Sequence, residues 1–403
     1  MNYYTDSQTN FIFNNEFNWQ EKKLLNPNCT LKIGTMFSGI GAIEYALKRL
    51  NLNTKIQFAC DIDSFVKKSY FANYPIEESS WYDDVHKING EIYKNKLDLL
   101  VGGSPCQSFS MIGKRKGLED TRGTLFYEFA RVINESQPNV FIFENVKGLL
   151  NHDSGNTFET IKATFNDLGY KYFFQVLNAK NYGIPQHRER VFVVGFKDKS
   201  VQFSFPSPIL LEYRMQDFLE DFIESKYYLK EKGVKFVTSS KNKNKRYTQI
   251  NGEIALCQKA NQQFNWHGDF VFEQNSESNF TDFIFDVNDV EEKYYLSDKV
   301  SAYVLSSGTK TFKTSTKTDL EVARPLLQSM HKMHRAGVDN YVTHTGRIRK
   351  LTPKECLRLM GFRDDFKQVV SDTQMYRQAG NSIVVDVLIA LLKQIDITQF
   401  ITK

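Results

Sequence analysis

The chain has 403 residues, 41% hydrophobic and 25% charged, with a formal net charge of +5. These proportions exclude a disordered chain or a disulfide-stapled miniprotein, and they leave room for one large domain and a smaller one. The mild basic excess permits a nucleic-acid partner without requiring one, and the 14% aromatic content suits base stacking and a large core equally.

Residues 1–29 read as a polar N-terminal extension without the basic start and apolar centre of a signal peptide, which points to the cytoplasm. From Lys32 the stretch "KIGTMFSGIGAIEYALKRL" reads as strand, glycine turn and helix, with Ile43, Ala46, Leu47 and Leu50 at helical spacing. Strands follow at "IQFACDID" and "LDLLVGGSP", a helix at "LFYEFARVINESQP", a strand at "NVFIFENV", a helix at "TFETIKATFNDLGY" and a strand at "RVFVVGF". Short apolar strands alternating with helices predict an α/β fold with a doubly wound, mostly parallel sheet over about 30–200. Over 201–350 the periodicity dissolves into polar, aromatic and basic text. "KNKNKR" is there, either a solvated loop or a phosphate-contacting one. Regularity returns in 351–403. Thr352, Pro353 and Glu355 predict an N-cap, a proline at N1 and a capping box, and "NSIVVDVLIALLKQI" predicts a closing apolar helix. Its apolar run contains Asp386 and is too short to span a bilayer.

Five places could carry chemistry. In "FSGIG", Gly39 and Gly41 allow close backbone approach to a ligand at a helix start, although Glu44 stands where a dinucleotide fingerprint has its third glycine. Asp61 ends the next strand and either accepts ribose hydroxyls or is an ordinary strand-end carboxylate. Glu144 in "FENV" should project at the carboxyl edge of the sheet, as a salt-bridged or capping acid or as a proton donor with raised pKa. Cys106 in "GGSPCQSFS" also follows a strand end, so it should share that cleft. Arg188 and Arg190 in "QHRER" alternate on a strand start and share one face. The five dispersed cysteines read as reduced thiols. No Cys/His set has metal-ligand spacing, and "HKMH" reads as polar surface or a phosphate contact, so no metal is expected.

The ordered set "FSGIG", "GGSPCQSFS", "FENV", "QHRER", "RKLTPKECLRLMGF" and "RQAGNSIVVDV" resembles the bacterial DNA (cytosine-5)-methyltransferases of restriction–modification type. The resemblance covers both ends of the chain and covers about 200–345 poorly. It implies the Rossmann-like α/β fold of S-adenosylmethionine-dependent methyltransferases, with a doubly wound mixed sheet. A catalytic and cofactor-binding domain (30–200) would be completed by a returning segment (351–403), with a smaller, irregular target-recognition domain at 201–350. It implies S-adenosylmethionine as methyl donor, cytosine in double-stranded DNA as acceptor, and a monomer on DNA with a cognate endonuclease, where there is one, acting independently.

Cys106 matches the family's attacking cysteine, Glu144 its acid at N3 and the exocyclic amine, and Arg190 the arginine on the base carbonyl. Arg188 is its neighbour, and either arginine could supply charge to a thiol whose ordinary pKa is about 8.5. Phe37, Gly39, Gly41, Asp61, Ile62, Leu125, Asn381 and Ser382 match cofactor contacts, with Asp84, or Asp83 in a looser register, for the adenine amine. The stretch Gln107–Thr124 fits a mobile loop. Gln107 would fill the space a flipped cytosine vacates, and Ser110, Lys114, Arg115 and Lys116 would meet DNA. Lys332, His334 and Arg335 are further phosphate or base contacts. The family's Thr-Leu pair has its nearest match at Pro325-Leu326, which lacks the threonine. An RNA (tRNA) cytosine-5 methyltransferase and a catalytically silent DNA-binding regulator are the alternatives. A nicotinamide oxidoreductase would account for "FSGIG" alone.

Overall fold

A computed structural model of the chain describes residues 18–105, 125–220, 223–239, 242, 248–260, 266–273 and 347–402, the strand at 347–350 by its backbone. The chain opens with β1 (Thr30–Met36), α1 (Ala42–Arg49), β2 (Asn53–Cys60), α2 (Ser64–Asn73), β3 (Trp81–Tyr82) and β4 (Leu99–Gly102). It continues through α3 (Leu125–Ser136), β5 (Val140–Val146), α4 (Asn156–Asp167), β6 (Lys171–Asn178) and β7 (Glu189–Phe196). These strands form one sheet in the order β3-β2-β1-β4-β5-β7-β6, parallel from β3 to β5, with β7 antiparallel to both β5 and β6. The sheet is therefore mixed and doubly wound. Strand β6, "KYFFQVLN", is not apparent in the sequence, because its middle is exposed and it lacks the continuous apolar run of the inner strands.

The inner strands are buried on both faces: every residue of β4, and Val140, Phe141, Ile142 and Phe143 of β5, is buried. Phe126, Phe129, Phe141, Phe143 and Phe165 pack ring against ring beneath the end of β5, with centroids 4.7–6.2 Å apart. Much of the aromatic content thus serves the core, one of the two uses left open by composition.

The strand register sets up the site. Tyr82, Cys60, Met36, Gly102 and Phe143 lie side by side on β3, β2, β1, β4 and β5. The next residue after each is Asp83, Asp61, Phe37, Gly103 and Glu144, so one row at the carboxyl edge brings Phe37, Asp61 and Glu144 together with Asp83 and with the chain leading to Cys106. The chain reverses its direction of winding between β1 and β4, and a crevice opens at such a switch point.

Beyond β7 come α5 (Glu231–Thr238), β8 (Thr248–Ile250), β9 (Gly268–Glu273), β10 (Arg347–Lys350), α6 (Pro353–Arg358), α7 (Asp372–Asn381) and α8 (Val385–Ile395). The expected capping box starts α6: Thr352 Oγ1 accepts the Glu355 N–H at 3.2 Å, and Glu355 Oε2 accepts the Thr352 N–H at 2.8 Å. Helix α8 packs on α1, where Arg49 and Asp386 form a two-pronged pair at 2.7 and 2.9 Å. The stretch Asp372–Ile395 is apolar and long enough to pass for a membrane span by composition, but it is two helices, largely buried in protein. Residues 18–29 are tied down as well: Trp19 Nε1 donates to Ser207 O, and Asn26 donates its main-chain N–H to Thr398 Oγ1 and its side-chain amide to Thr398 O.

The chain divides into two compact units. The first comprises Met1–Glu224, Lys235–Asp269 and Leu351–Lys403, the second Ser225–Val234 and Phe270–Lys350. The first unit contains the large sheet and also takes in 201–224 and 235–269. In the second, Phe270–Glu273 of β9 pairs antiparallel with β10.

Candidate active site

Glu144 stands at the β5 end of this row. It is the fifth residue of an apolar strand, so its side chain follows Phe143 out of the core, and it is 13% exposed. Burial pushes its carboxyl pKa up, while the Arg190 and then the Arg188 guanidinium pull the other way. Arg190 Nε lies 3.1 Å from Glu144 Oε1, and Arg190 Nη1 donates to the Glu189 main-chain oxygen at 2.8 Å. The arginine thus holds the carboxyl on one side and leaves donors for a second acceptor.

The backbone leading to Cys106 lies against the same carboxyl. A Cβ on Gly103 would sit 2.9 Å from the Glu144 main-chain oxygen and 3.1 Å from its Oε2, so only glycine fits there. Asn145 Nδ2 donates to Ser104 O at 2.8 Å and fixes the next step of the chain. Pro105 is described; Cys106 and the loop positions Gln107, Ser110, Lys114, Arg115 and Lys116 lie outside the described residues, as do Pro325, Leu326, Lys332, His334 and Arg335.

On the other flank, the "FSGIG" turn has the geometry its glycines predict. Gly39 and Gly41 have φ of 53° and 78°, and Gly41 caps α1. A Cβ on Gly39 would meet nothing within 4 Å, so the ground above it is open. Asp61 Oδ2 accepts the Gly39 N–H and Oδ1 the Asp63 N–H, both at 3.0 Å, so the carboxylate shapes the turn while keeping lone pairs for a ligand. Burial raises the Asp61 pKa against those two hydrogen bonds. Ile62 beside it is 87% exposed, and Phe37 is half-buried against the core. Asp84 Oδ1 accepts the His86 N–H at 3.0 Å and faces the His86 ring at 2.7 Å, contacts that lower its pKa. Asp83 Oδ1 instead accepts the Trp81 indole N–H at 2.8 Å. Leu125 begins α3 and packs on the aromatic core. Asn381 is exposed at the end of α7, and Ser382 next to it is buried.

Arg188 differs from Arg190. It is 3% exposed, and its terminal nitrogens donate to main-chain oxygens of Gln258, Gly380 and Ser382 at 2.9, 3.0 and 2.8 Å. Burial and then Arg190 pull its pKa down to about 10. Its role is thus bound up with Ala255–Gln258 and Gly380, which the sequence reading did not single out. The signal lay only in long-range contacts. Among the described residues no group of three or more His, Cys, Asp or Glu side chains is arranged to hold a metal ion.

A mixed seven-stranded sheet with a glycine turn and carboxylate on one side of its switch point, and an arginine-held acid on the other, defines a Rossmann-like methyltransferase. The chain belongs to the C-5 cytosine-specific DNA methylase family, whose profile matches residues 31–396, and it is a DNA cytosine-5 methyltransferase. It is 32% identical to the orphan methyltransferase M.SPRI of Bacillus phage SPR, over 91% of this chain and 97% of that protein. It is 34% identical to the Type II methyltransferase M.HpaII of Haemophilus parainfluenzae, over 92% and 91%. Among solved structures the S. pombe Dnmt2 methyltransferase shares the fold, with a TM-score of 0.61 and 20% identity over 90% of this chain and 97% of that one.

Proposed function

We propose that the protein methylates C5 of one cytosine within a specific duplex DNA sequence, with S-adenosylmethionine as donor and Cys106 as nucleophile. The observation that carries this reading is the Glu144–Arg190 pair, held against the backbone that runs directly into Cys106. The target is flipped from the stack at a cost of roughly a few kcal/mol, with the Gln107–Thr124 loop closing over it. The Cys106 thiolate bonds to C6, and the displaced electron pair is accommodated at N3, where neutral Glu144 delivers its proton. Arg190 orients that carboxyl and donates to the base carbonyl. C5 has then become nucleophilic. S-adenosylmethionine, when bound, would supply the electrophilic methyl group and leave as S-adenosylhomocysteine. Loss of the C5 proton to solvent and departure of the thiolate restore the C5–C6 double bond, and the N3 proton returns to Glu144.

The residues beside the glycine turn fit the donor. Asp61 offers acceptors for ribose hydroxyls, Phe37 and exposed Ile62 offer apolar faces for adenine, and the space above Gly39 admits the methionine portion. Asp84, with Asp83 as the alternative, takes the adenine amine; Leu125, Asn381 and Ser382 complete the set. Residues 201–350 read the target bases, with Lys332, His334 and Arg335 among the DNA contacts. The enzyme acts in the cytoplasm as a monomer on DNA and needs no metal. Its role is protection of host DNA in restriction–modification, with a cognate endonuclease, where there is one, acting independently.

The test is trapping. A duplex carrying 5-fluorocytosine in the mapped target sequence, with S-adenosylmethionine, should give a denaturation-resistant complex with the wild-type protein and none with Cys106→Ala. A trapped complex with Cys106→Ala, or methylation of tRNA in preference to DNA, overturns the reading.

A further inference from the structure

Next to the acid–arginine pair lies a second buried polar centre. Arg188 Nη1 donates to Gln258 O and lies 3.7 Å from Cys257 Sγ, while Nη2 is shared by Gly380 O and Ser382 O. These acceptors are 70, 192 and 194 residues away in the chain. Gln186, fully buried two residues earlier, repeats the pattern: Nε2 donates to Leu359 O at 2.7 Å and Oε1 accepts the Gln258 N–H at 3.2 Å. Gly380 makes the convergence possible, since a Cβ there would lie 2.5 Å from Ala260 N and 2.6 Å from the Lys259 carbonyl carbon.

Three main-chain segments therefore meet on one guanidinium. One is the start of β7, which carries Arg190 two residues on. Another is Gly380–Ser382, which flanks Asn381. The third is Ala255–Ala260. A planar fork of fixed donors suits several carbonyls at set angles, whereas a point charge would not reproduce it. The carbonyls take up both terminal nitrogens, while Nε is buried without a hydrogen-bond partner.

We propose that Arg188 is a positioning residue whose fork locks Gly380–Ser382 and Ala255–Ala260 to the strand bearing Arg190, so that the donor site and the base-holding pair keep one register. This rests on the roles assigned above to Asn381, Ser382 and Arg190.

The experiment compares Arg188→Lys, Arg188→Gln, Gly380→Ala and Arg188→Lys/Gly380→Ala in the full-length protein. S-adenosylhomocysteine binding is measured by calorimetry, and kcat and its pH profile on unmethylated genomic DNA, below each variant's melting point. Lysine keeps the charge and loses the fork, so it should fail as badly as glutamine, with binding weakened roughly tenfold and kcat lowered. The acidic limb of the pH profile should not move. Gly380→Ala should reproduce the pattern from the other side of the contact, and the double variant should be no worse than the worse single one. Wild-type behaviour of Arg188→Lys overturns the proposal. So does an upward shift of the acidic limb in Arg188→Gln with binding intact, which is the signature of a charge acting on the thiol, and so do multiplying effects in the double variant. Failure of the Cys106 trapping test would leave the calorimetric result standing, so the two readings fail separately.

Discussion

Arg190 and Glu144 form an ion pair across neighbouring antiparallel strands although they are not register partners: Glu144 faces Phe192, and Arg190 faces Val146. The two-residue offset makes the guanidinium reach back along the strand to the carboxyl, whose burial raises its pKa. The donating form is the acid, so its contribution to rate is present below the folded-state pKa and lost as pH rises through it. Arg190 is the strongest influence lowering that pKa. Arg190→Ala should therefore move the alkaline limb of single-turnover methylation to higher pH while lowering the plateau. Glu144→Gln should lower the plateau by roughly 10²-fold or more and abolish the limb. An alkaline limb unchanged in Arg190→Ala would remove Glu144 as its source.

Gly103 offers a second handle on the same carboxyl. A methyl group at this position meets the Glu144 main chain at 2.9 Å and Oε2 at 3.1 Å, and the backbone cannot yield without moving Ser104, held by Asn145. Gly103→Ala should displace the carboxyl from Arg190 and cost about 10²-fold in kcat, since misplacement on the order of an ångström has that effect. The donor constant, measured in parallel, should stay within about twofold because Gly103 is on the acid side of the switch point.

Much of this site is legible in the sequence because chemistry follows apolar runs. Met36, Cys60, Gly102 and Phe143 end buried strand segments, and Phe37, Asp61, Gly103 and Glu144 come next. What is not legible has a physical cause. The direction of β7 depends on partners that local periodicity does not encode, and β6 hides because Phe174 and Gln175 are exposed in its middle. The terminal nitrogens of Arg188 donate to carbonyls far away in the chain while its Nε is buried without a partner, so spacing within "QHRER" suggests two equivalent guanidinia where the fold makes one reach for Glu144 and buries the other. The middle region has little apolar periodicity to read, so local pattern places few elements there.

Glu44, where a dinucleotide fingerprint would have glycine, is a buried carboxyl on α1. It accepts a hydrogen bond from the Tyr70 hydroxyl at 2.5 Å, and Oε2 is buried without a partner. Burial pushes its pKa from 4.5 up to about 7, against the smaller opposing pull of the Tyr70 hydrogen bond. A carboxyl with a raised folded-state pKa contributes stability that is fully present below the unfolded value and is lost as pH rises through the folded one. The change is on the order of 3 kcal/mol. Wild-type melting temperature should therefore fall between about pH 5 and pH 8 by more than that of Glu44→Gln, which has no proton to lose. Parallel melting curves for the two proteins across that range would refute the assignment.

Ile62 and Asp61 separate ligand binding from folding. Ile62 is 87% exposed, so Ile62→Ala should change stability by less than about 0.5 kcal/mol. If adenine covers it, the same change should raise the donor KM roughly tenfold through lost apolar contact, with kcat at saturation nearly unchanged. Asp61→Asn should do more. Its two oxygens each accept a main-chain N–H, and an amide would set an N–H donor against the N–H of Gly39 or Asp63. Both the turn and the ribose acceptor are then damaged. Donor binding should fall further than in Ile62→Ala, and melting temperature should fall with it. Calorimetric titration with S-adenosylhomocysteine and thermal melts on both variants check the contrast. An Ile62→Ala protein that binds as tightly as wild type would place adenine elsewhere.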